Sequence, residues 1–140
     1  MDATGAVAVT GSVVAGAAAA VHVYIWILES VLWSRESTRR IFGVRSAEEG
    51  DTLRPMAYNQ GFYNLFLALG VVVGLVLAWS GMPSAGLVLT VFSCLCMVLA
   101  ALVLLTSNRR MLRAAIVQGA APLLAIVLLT IVLAGAGASR

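Results

Sequence analysis

Charged residues are scarce in this chain, and it contains no lysine at all. Only 11% of its 140 residues are charged and 61% are hydrophobic, whereas a soluble domain carries about a quarter charged residues and about half apolar ones. The chain also has only three prolines and two cysteines, too few for a proline-rich disordered protein or a disulfide scaffold. These shortages exclude an ordinary soluble domain and leave an integral membrane protein.

Four long apolar runs account for most of the sequence. A transmembrane helix requires about 20 mostly apolar residues, and the runs near residues 7–33, 57–79, 85–106 and 112–134 meet this requirement. The only charged side chain before the first run is Asp2; a signal peptide would have a basic region there, so we expect this run to be retained. The sequence predicts one domain over residues 1–140, an all-α integral membrane four-helix bundle with up-down topology.

The nine basic residues are all arginine, and eight of them lie in two connections between the runs. Five occur within residues 34–55 and three within residues 107–113, whereas the turn at residues 80–84 carries no charge. Under the positive-inside rule, both arginine-bearing connections are cytoplasmic and both termini lie outside. Because topology explains the arginines, the net charge of +3 does not require nucleic acid, and membrane lipids are the expected surroundings.

Some apolar and aromatic side chains lie where the chain leaves the membrane. In the longer connection, Ile41, Phe42 and Val44 follow two arginines, which fits either an amphipathic segment on the membrane surface or an ordinary polar loop. Aromatic rings are favoured at the membrane interface, and four of them are expected there: Trp33, Tyr58, Tyr63 and Trp79.

A few polar side chains fall inside the runs, where a central charge costs roughly 2.5 to 3.5 kcal/mol on insertion scales. At about 1.5 Å per residue, Glu29, Gln60 and Gln118 each lie about 7 to 8 Å inside the cytoplasmic edge. Asn64 and Tyr63 lie about one turn deeper than Gln60, and His22 lies near the midplane. The candidate ligand-binding residues are therefore His22, Glu29, Asn59, Gln60, Tyr63, Asn64 and Gln118.

Two further features concern packing between the helices. Gly70 and Gly74 are four residues apart, a spacing that allows close helix contacts within the bundle or between subunits of a homo-oligomer. Pro122 leaves the backbone carbonyl of Gln118 without its usual helical donor, so this carbonyl is expected to join the polar side chains.

The polar residues also form a pattern along the chain. Span one carries His22, Glu29 and Trp33, span two opens with Tyr-Asn-Gln-Gly-Phe-Tyr-Asn at residues 58–64, and Gln118 precedes Pro122. In this pattern the chain resembles a family of small four-span bacterial membrane proteins of unknown function (domain of unknown function 1304), over nearly its whole length. The resemblance implies four transmembrane helices in a bacterial inner membrane, and it implies no substrate or activity.

Three functions from different classes fit these residues. The leading hypothesis is binding or transport of a small ligand, a proton or a lipid head group through Glu29, Gln60, Asn64 and Gln118, whose amides and carboxylate suit hydroxylated or cationic ligands. In the second, the protein is a structural or assembly partner of a larger membrane complex, and the polar side chains only join helices. The third is an intramembrane metal-dependent enzyme with Glu29 as general base beside His22.

The third hypothesis is the weakest of the three. His22 and Glu29 are about 10 Å apart along one helix, too far to chelate one metal ion. Cys94 and Cys96 are two residues apart, so their side chains lie about 200° apart around the helix and cannot bind one metal ion together. We therefore predict no catalytic residue, no metal site and no cofactor.

Overall fold

Residues 3–138 are described by the structure, a computed structural model, so Asp2 and Arg140 lie outside the described part. The long helices are α1 (Ala3–Trp26), α3 (Ala47–Trp79), α4 (Pro83–Ser107) and α5 (Leu112–Ala138). Three short elements complete the chain: a π-helical turn (Ile27–Val31) that continues α1, the helix α2 (Glu36–Ile41), and a 3₁₀ turn (Arg109–Met111) before α5. No strand occurs within residues 3–138, and the predicted all-α fold is confirmed.

The helix α3 begins at Ala47, ten residues before the apolar run that starts at Ala57. Its N-cap is Ser46, whose side-chain oxygen accepts a hydrogen bond of 3.1 Å from the backbone N–H of Glu49. Acidic residues in the first turn also suit the helix dipole. Pro55 lies inside this polar segment and removes the donor to the carbonyl of Asp51. Asp51 is exposed, so water can satisfy that carbonyl and the helix continues.

The long helices pack side by side in an up-down bundle. Within the described residues, α1 lies against α3 and α5, and α4 lies against the same two helices on the other side. Each of the four is long and apolar enough to span a membrane, as in a multi-pass membrane protein. The 80–82 turn, where Gly81 has φ 95°, lies at the same end as the start of α1 and the end of α5. We call this the terminal end and the opposite one, with both arginine-bearing connections, the arginine end.

The packed core occupies the middle of the bundle and its terminal half. Alanines of α1 pack there against Leu129 of α5, and Met97 of α4 is fully buried. A Cβ atom on Gly74 would lie 2.8 Å from the carbonyl oxygen of Gly86 and from the backbone nitrogen of Thr90. The predicted small-residue contact therefore forms within the chain, between α3 and α4.

The longer connection folds back onto the arginine end. The rings of Trp33 and Phe42 have their centroids 5.5 Å apart, and Val44 is buried in the same cluster. The indole Nε1 of Trp33 donates a hydrogen bond of 2.8 Å to the carbonyl oxygen of Gly50. Trp33 is only 6% exposed, so this ring packs inside the protein and does not face the surrounding lipid. Its side chain instead fixes the connection to the start of α3.

Candidate functional site

A cavity of about 600 Å³ lies between the helices at the arginine end. All four long helices contribute to its walls, together with Ile41 and Phe42 from the longer connection. Much of the lining is aliphatic, including Val21, Leu28, Leu67, Leu104 and Val117. A concave, mainly apolar volume with a few convergent polar groups is the usual form of a small-molecule site. The polar residues here are Tyr24, Glu29, Gln60, Tyr63, Asn64, Arg110, Arg113 and Gln118.

Glu29 lies within the π-helical turn that continues α1. In this turn the backbone N–H of Leu32 donates to the carbonyl of Ile27 over 2.8 Å, a five-residue step that recurs at functional sites. The Glu29 side chain is 9% exposed, and its Oε2 accepts a hydrogen bond of 3.0 Å from Nδ2 of Asn64. The same Nδ2 donates to the carbonyl of Gln60 over 3.1 Å. Asn64 therefore holds the carboxylate in place from α3.

The π-helical turn and α3 come very close beside Glu29. The hydroxyl of Ser30 donates a hydrogen bond of 3.1 Å to the carbonyl oxygen of Tyr58. It sits over Gly61, where an added Cβ atom would collide with Oγ of Ser30 and lie 3.1 Å from Cβ of Glu29. The absence of a side chain at Gly61 thus sets the distance between Glu29 and α3.

Three more of the predicted site residues, Gln60, Tyr63 and Gln118, line the same cavity. Gln60 and Tyr63 are exposed, and Gln118 is half-buried. Their side chains make no hydrogen bond to any other part of residues 3–138. Their amide and phenol groups are therefore available to a ligand. Asn59 is also exposed but does not line the cavity.

His22 lies apart from the cavity, fully buried among the packed helices. Its Nδ1 donates to the carbonyl oxygen of Ala18 over 2.9 Å, because a carbonyl can only accept. The other ring nitrogen, Nε2, has no partner among the described residues, and neither has the buried indole Nε1 of Trp26. The structure thus places Glu29 in the cavity and His22 in the core, although both lie on the same helix.

Arg110 and Arg113 line the cavity, and sequence reasoning assigned them to topology alone. The ion pairs within residues 3–138 join Arg39 to Asp51 and Arg40 to Glu36. Both guanidinium groups at the cavity therefore have no acidic partner in that part of the chain. One feature of the sequence could have indicated that Arg113 lies near the cavity. It is five residues before Gln118, which is about 7.5 Å along the helix axis.

The polar groups at the cavity are one carboxylate, three amides, two phenols and two guanidinium groups. Among residues 3–138, no group of three or more His, Cys, Asp or Glu side chains is close enough together to hold a metal ion. Such a set recognises a ligand by hydrogen bonds and charge.

Residues 16–130 match the family described as "Protein of unknown function (DUF1304)". The chain belongs to this family. The matched range contains every residue that lines the cavity, and it includes the polar residues from His22 to Gln118 on which the resemblance rests. Comparison with curated proteins gave no match, and neither did comparison with solved structures.

Proposed function

We propose that this protein binds a small amphiphilic ligand in the cavity at the arginine end, with Glu29 as the principal polar contact. The observation that carries this proposal is the position of Glu29, on the wall of a cavity of about 600 Å³ whose other polar side chains have spare hydrogen-bonding groups. Oε2 accepts from Asn64, and Oε1 has no donor within residues 3–138. That oxygen is free to contact a ligand.

The cost of a carboxylate supports a binding role over a purely structural one. Polar contacts between membrane helices contribute about 0.6 kcal/mol each on average, whereas a charged side chain costs roughly 2.5 to 3.5 kcal/mol to insert at the centre of a span. Glu29 lies about 7 to 8 Å inside the edge, where this cost is smaller but still favours an uncharged amide. A glutamine at this position would join α1 to α3 at lower cost. The volume also falls in the range of about 300 to 1,000 Å³ that is usual for small-molecule sites.

The proposed setting is a bacterial inner membrane, with the arginine end in the cytoplasm and both termini outside. Eight of the nine arginines lie in the two connections at that end, which favours this orientation under the positive-inside rule. The ligand would then enter from the cytoplasmic side of the membrane.

The proposal is tested by replacing Glu29 with glutamine, which preserves volume and hydrogen bonding but removes the carboxylate. The purified protein in mild detergent is examined by native mass spectrometry for non-covalent adducts carried from the membrane. We expect a defined adduct on the wild type and about tenfold less of it on Glu29→Gln, with both proteins equally helical by circular dichroism.

The matched control is Glu48→Gln, which makes the same change at an exposed position in the first turn of α3. This variant should carry as much adduct as the wild type. Equal adduct on Glu29→Gln, or a wild type that carries no adduct, would contradict the proposal.

A further inference from the structure

We infer that the ligand is a zwitterionic lipid of the aminoalkyl phosphate type, with its phosphate at Arg110 and Arg113 and its ammonium at Glu29. This inference rests on the proposed ligand site and adds the chemical class of the ligand. The ligand class follows from two features of the cavity: it is lined by side chains of opposite charge, and the rest of its wall is largely apolar.

The arginine side of the cavity is suited to a phosphate. Arg110 lies in the 3₁₀ turn and Arg113 in the first turn of α5, and both line the cavity without an acidic partner among the described residues. The backbone N–H of Arg110 donates to Oδ1 of Asn108 over 3.2 Å, which stabilises the 3₁₀ turn that carries Arg110 and leads into α5. Guanidinium groups bind phosphate oxygens through paired hydrogen bonds. The N-terminus of α5 adds the positive end of a helix dipole.

The wall formed by α1 and α3 is suited to an ammonium group. Among residues 3–138, Glu29 is the only acidic residue that lines the cavity, and its Oε1 has no donor in that part of the chain. Asn64 and Gln118 line the same cavity. An ammonium has three donors, and the side-chain carbonyl oxygens of these two amides can accept hydrogen bonds from it. A ligand with only a phosphate would leave the carboxylate unpaired, and one with only an ammonium would leave both arginines unpaired.

The remaining walls are suited to an acyl chain. Tyr24 of α1 and Val117 of α5 line the cavity and yet are 56% and 62% exposed. The cavity is therefore open between these two neighbouring helices, on the side that faces lipid in a membrane. Val21, Ile25 and Leu28 also line the cavity, so an acyl chain within it would contact apolar side chains.

Four probes separate the parts of this inference. Lysophosphatidylethanolamine carries ammonium, phosphate and chain; lysophosphatidylglycerol has no ammonium; an alkylamine of equal chain length has no phosphate; and phosphoethanolamine has no chain. Each is titrated onto the purified full-length protein, and the affinity is measured by native mass spectrometry. We expect lysophosphatidylethanolamine to bind about ten- to a hundredfold more tightly than each of the others. Lysophosphatidylglycerol and the alkylamine each lose contacts to a charged partner, and phosphoethanolamine loses the apolar burial of the chain.

Variants then assign the two charges. In the double variant Arg110→Gln, Arg113→Gln, the affinity for lysophosphatidylethanolamine should fall to that for the alkylamine. In Glu29→Gln, the affinity for lysophosphatidylethanolamine should fall to the affinity for lysophosphatidylglycerol. The affinity for lysophosphatidylglycerol itself should not fall in this variant. The control Arg109→Gln removes an exposed arginine that does not line the cavity, and it should change none of these affinities.

The outcomes also distinguish this inference from the proposed function. If the three probes that carry a chain bind with equal affinity, the ligand is not selected for its two charges, but the cavity is still a ligand site. If phosphoethanolamine binds as tightly as lysophosphatidylethanolamine, the chain contributes nothing, and the ligand is a soluble zwitterion rather than a lipid. If no probe binds while the adduct from the membrane still depends on Glu29, the inference fails alone. If the amount of that adduct also does not change in Glu29→Gln, both the inference and the proposed function are wrong.

Discussion

His22 is fully buried although one of its ring nitrogens makes no hydrogen bond. Nδ1 donates to the carbonyl of Ala18, while Nε2 has no partner among the described residues and does not reach the cavity. A buried polar atom without a partner costs about 1 to 3 kcal/mol. The unpaired Nε2 of His22 therefore destabilises the described fold.

We accordingly expect His22→Leu to keep the protein as stable as the wild type or to raise its melting temperature by a few degrees. Leucine fills a similar volume and removes the unpaired nitrogen. The melting temperature in detergent is measured by circular dichroism, and ligand retention by native mass spectrometry should not change. His22→Ala is the control for packing and should lower the melting temperature, because it leaves a void. A large loss of stability in His22→Leu would show that Nε2 has a partner after all.

The depth of a residue in the membrane could be predicted from the sequence, but the side of the helix on which its side chain lies relative to the neighbouring helices could not. Counting from the ends of the runs placed Glu29, Gln60 and Gln118 at one level, and all three line one cavity. The candidate ligand-binding residues also included His22, which was placed near the midplane, and Asn59; these two lie outside the cavity. Rotation of a helix about its axis depends on packing against its neighbours, and a run that is apolar on every side carries little information about that rotation.

At the scale of helices, the apolar runs predicted four spans but missed where α3 begins. The signal was present in Ser46 and Glu49, which match the spacing of a capping box. The Ser46 side chain accepts from the N–H of Glu49, and the Glu49 carboxylate accepts from the N–H of Arg45 over 2.8 Å. Hydropathy alone places a membrane segment, whereas caps mark where the helix itself begins.

The π-helical turn at Glu29 had no signal in the sequence. It occurs where α1 is held to α3 by the hydrogen bond from Ser30 to Tyr58 and by the close approach over Gly61. These contacts join residues about 30 positions apart in the chain, so local propensity does not reveal them. Gly61 is the residue at which this arrangement can be tested.

We expect Gly61→Ala to destabilise the protein by about 1 to 3 kcal/mol, because the added methyl group would push Ser30 and Glu29 away from α3. It should also weaken ligand retention, since the bond from Asn64 to Glu29 depends on that distance. Thermal unfolding and native mass spectrometry of the same preparation measure both effects.

The matched control is Gly16→Ala in α1, where no atom lies within 4 Å of an added Cβ. This change should be neutral or stabilising by about 1 kcal/mol, because alanine favours a helix over glycine. If the two alanine variants behave alike, the contact between the π-helical turn and α3 does not position Glu29.

For the complete bundle, the arginines carry two kinds of information. Their distribution predicted which connections share one end, and the structure places both at the arginine end. It did not predict that Arg110 and Arg113 line a cavity with Glu29, because that depends on how the helices spread apart at this end.

The proposed orientation is tested by cysteine labelling in intact cells. Cys94 and Cys96 are first replaced by alanine, and single cysteines are then introduced at the exposed positions Ser37 and Ser84. An impermeant thiol reagent should label Ser84→Cys in intact cells and Ser37→Cys only after permeabilisation. The reverse pattern would place the arginine end outside.

The claim that the cavity is a ligand site is tested most directly by an experimental structure of the protein purified with its native lipids in nanodiscs. We expect non-protein density in the cavity, in contact with Oε1 of Glu29 and continuous with density near Arg110 and Arg113. A collapsed cavity, with the Gln118 amide bonded directly to Glu29 and no density between α1 and α5, would contradict this account and leave Glu29 as a contact between helices.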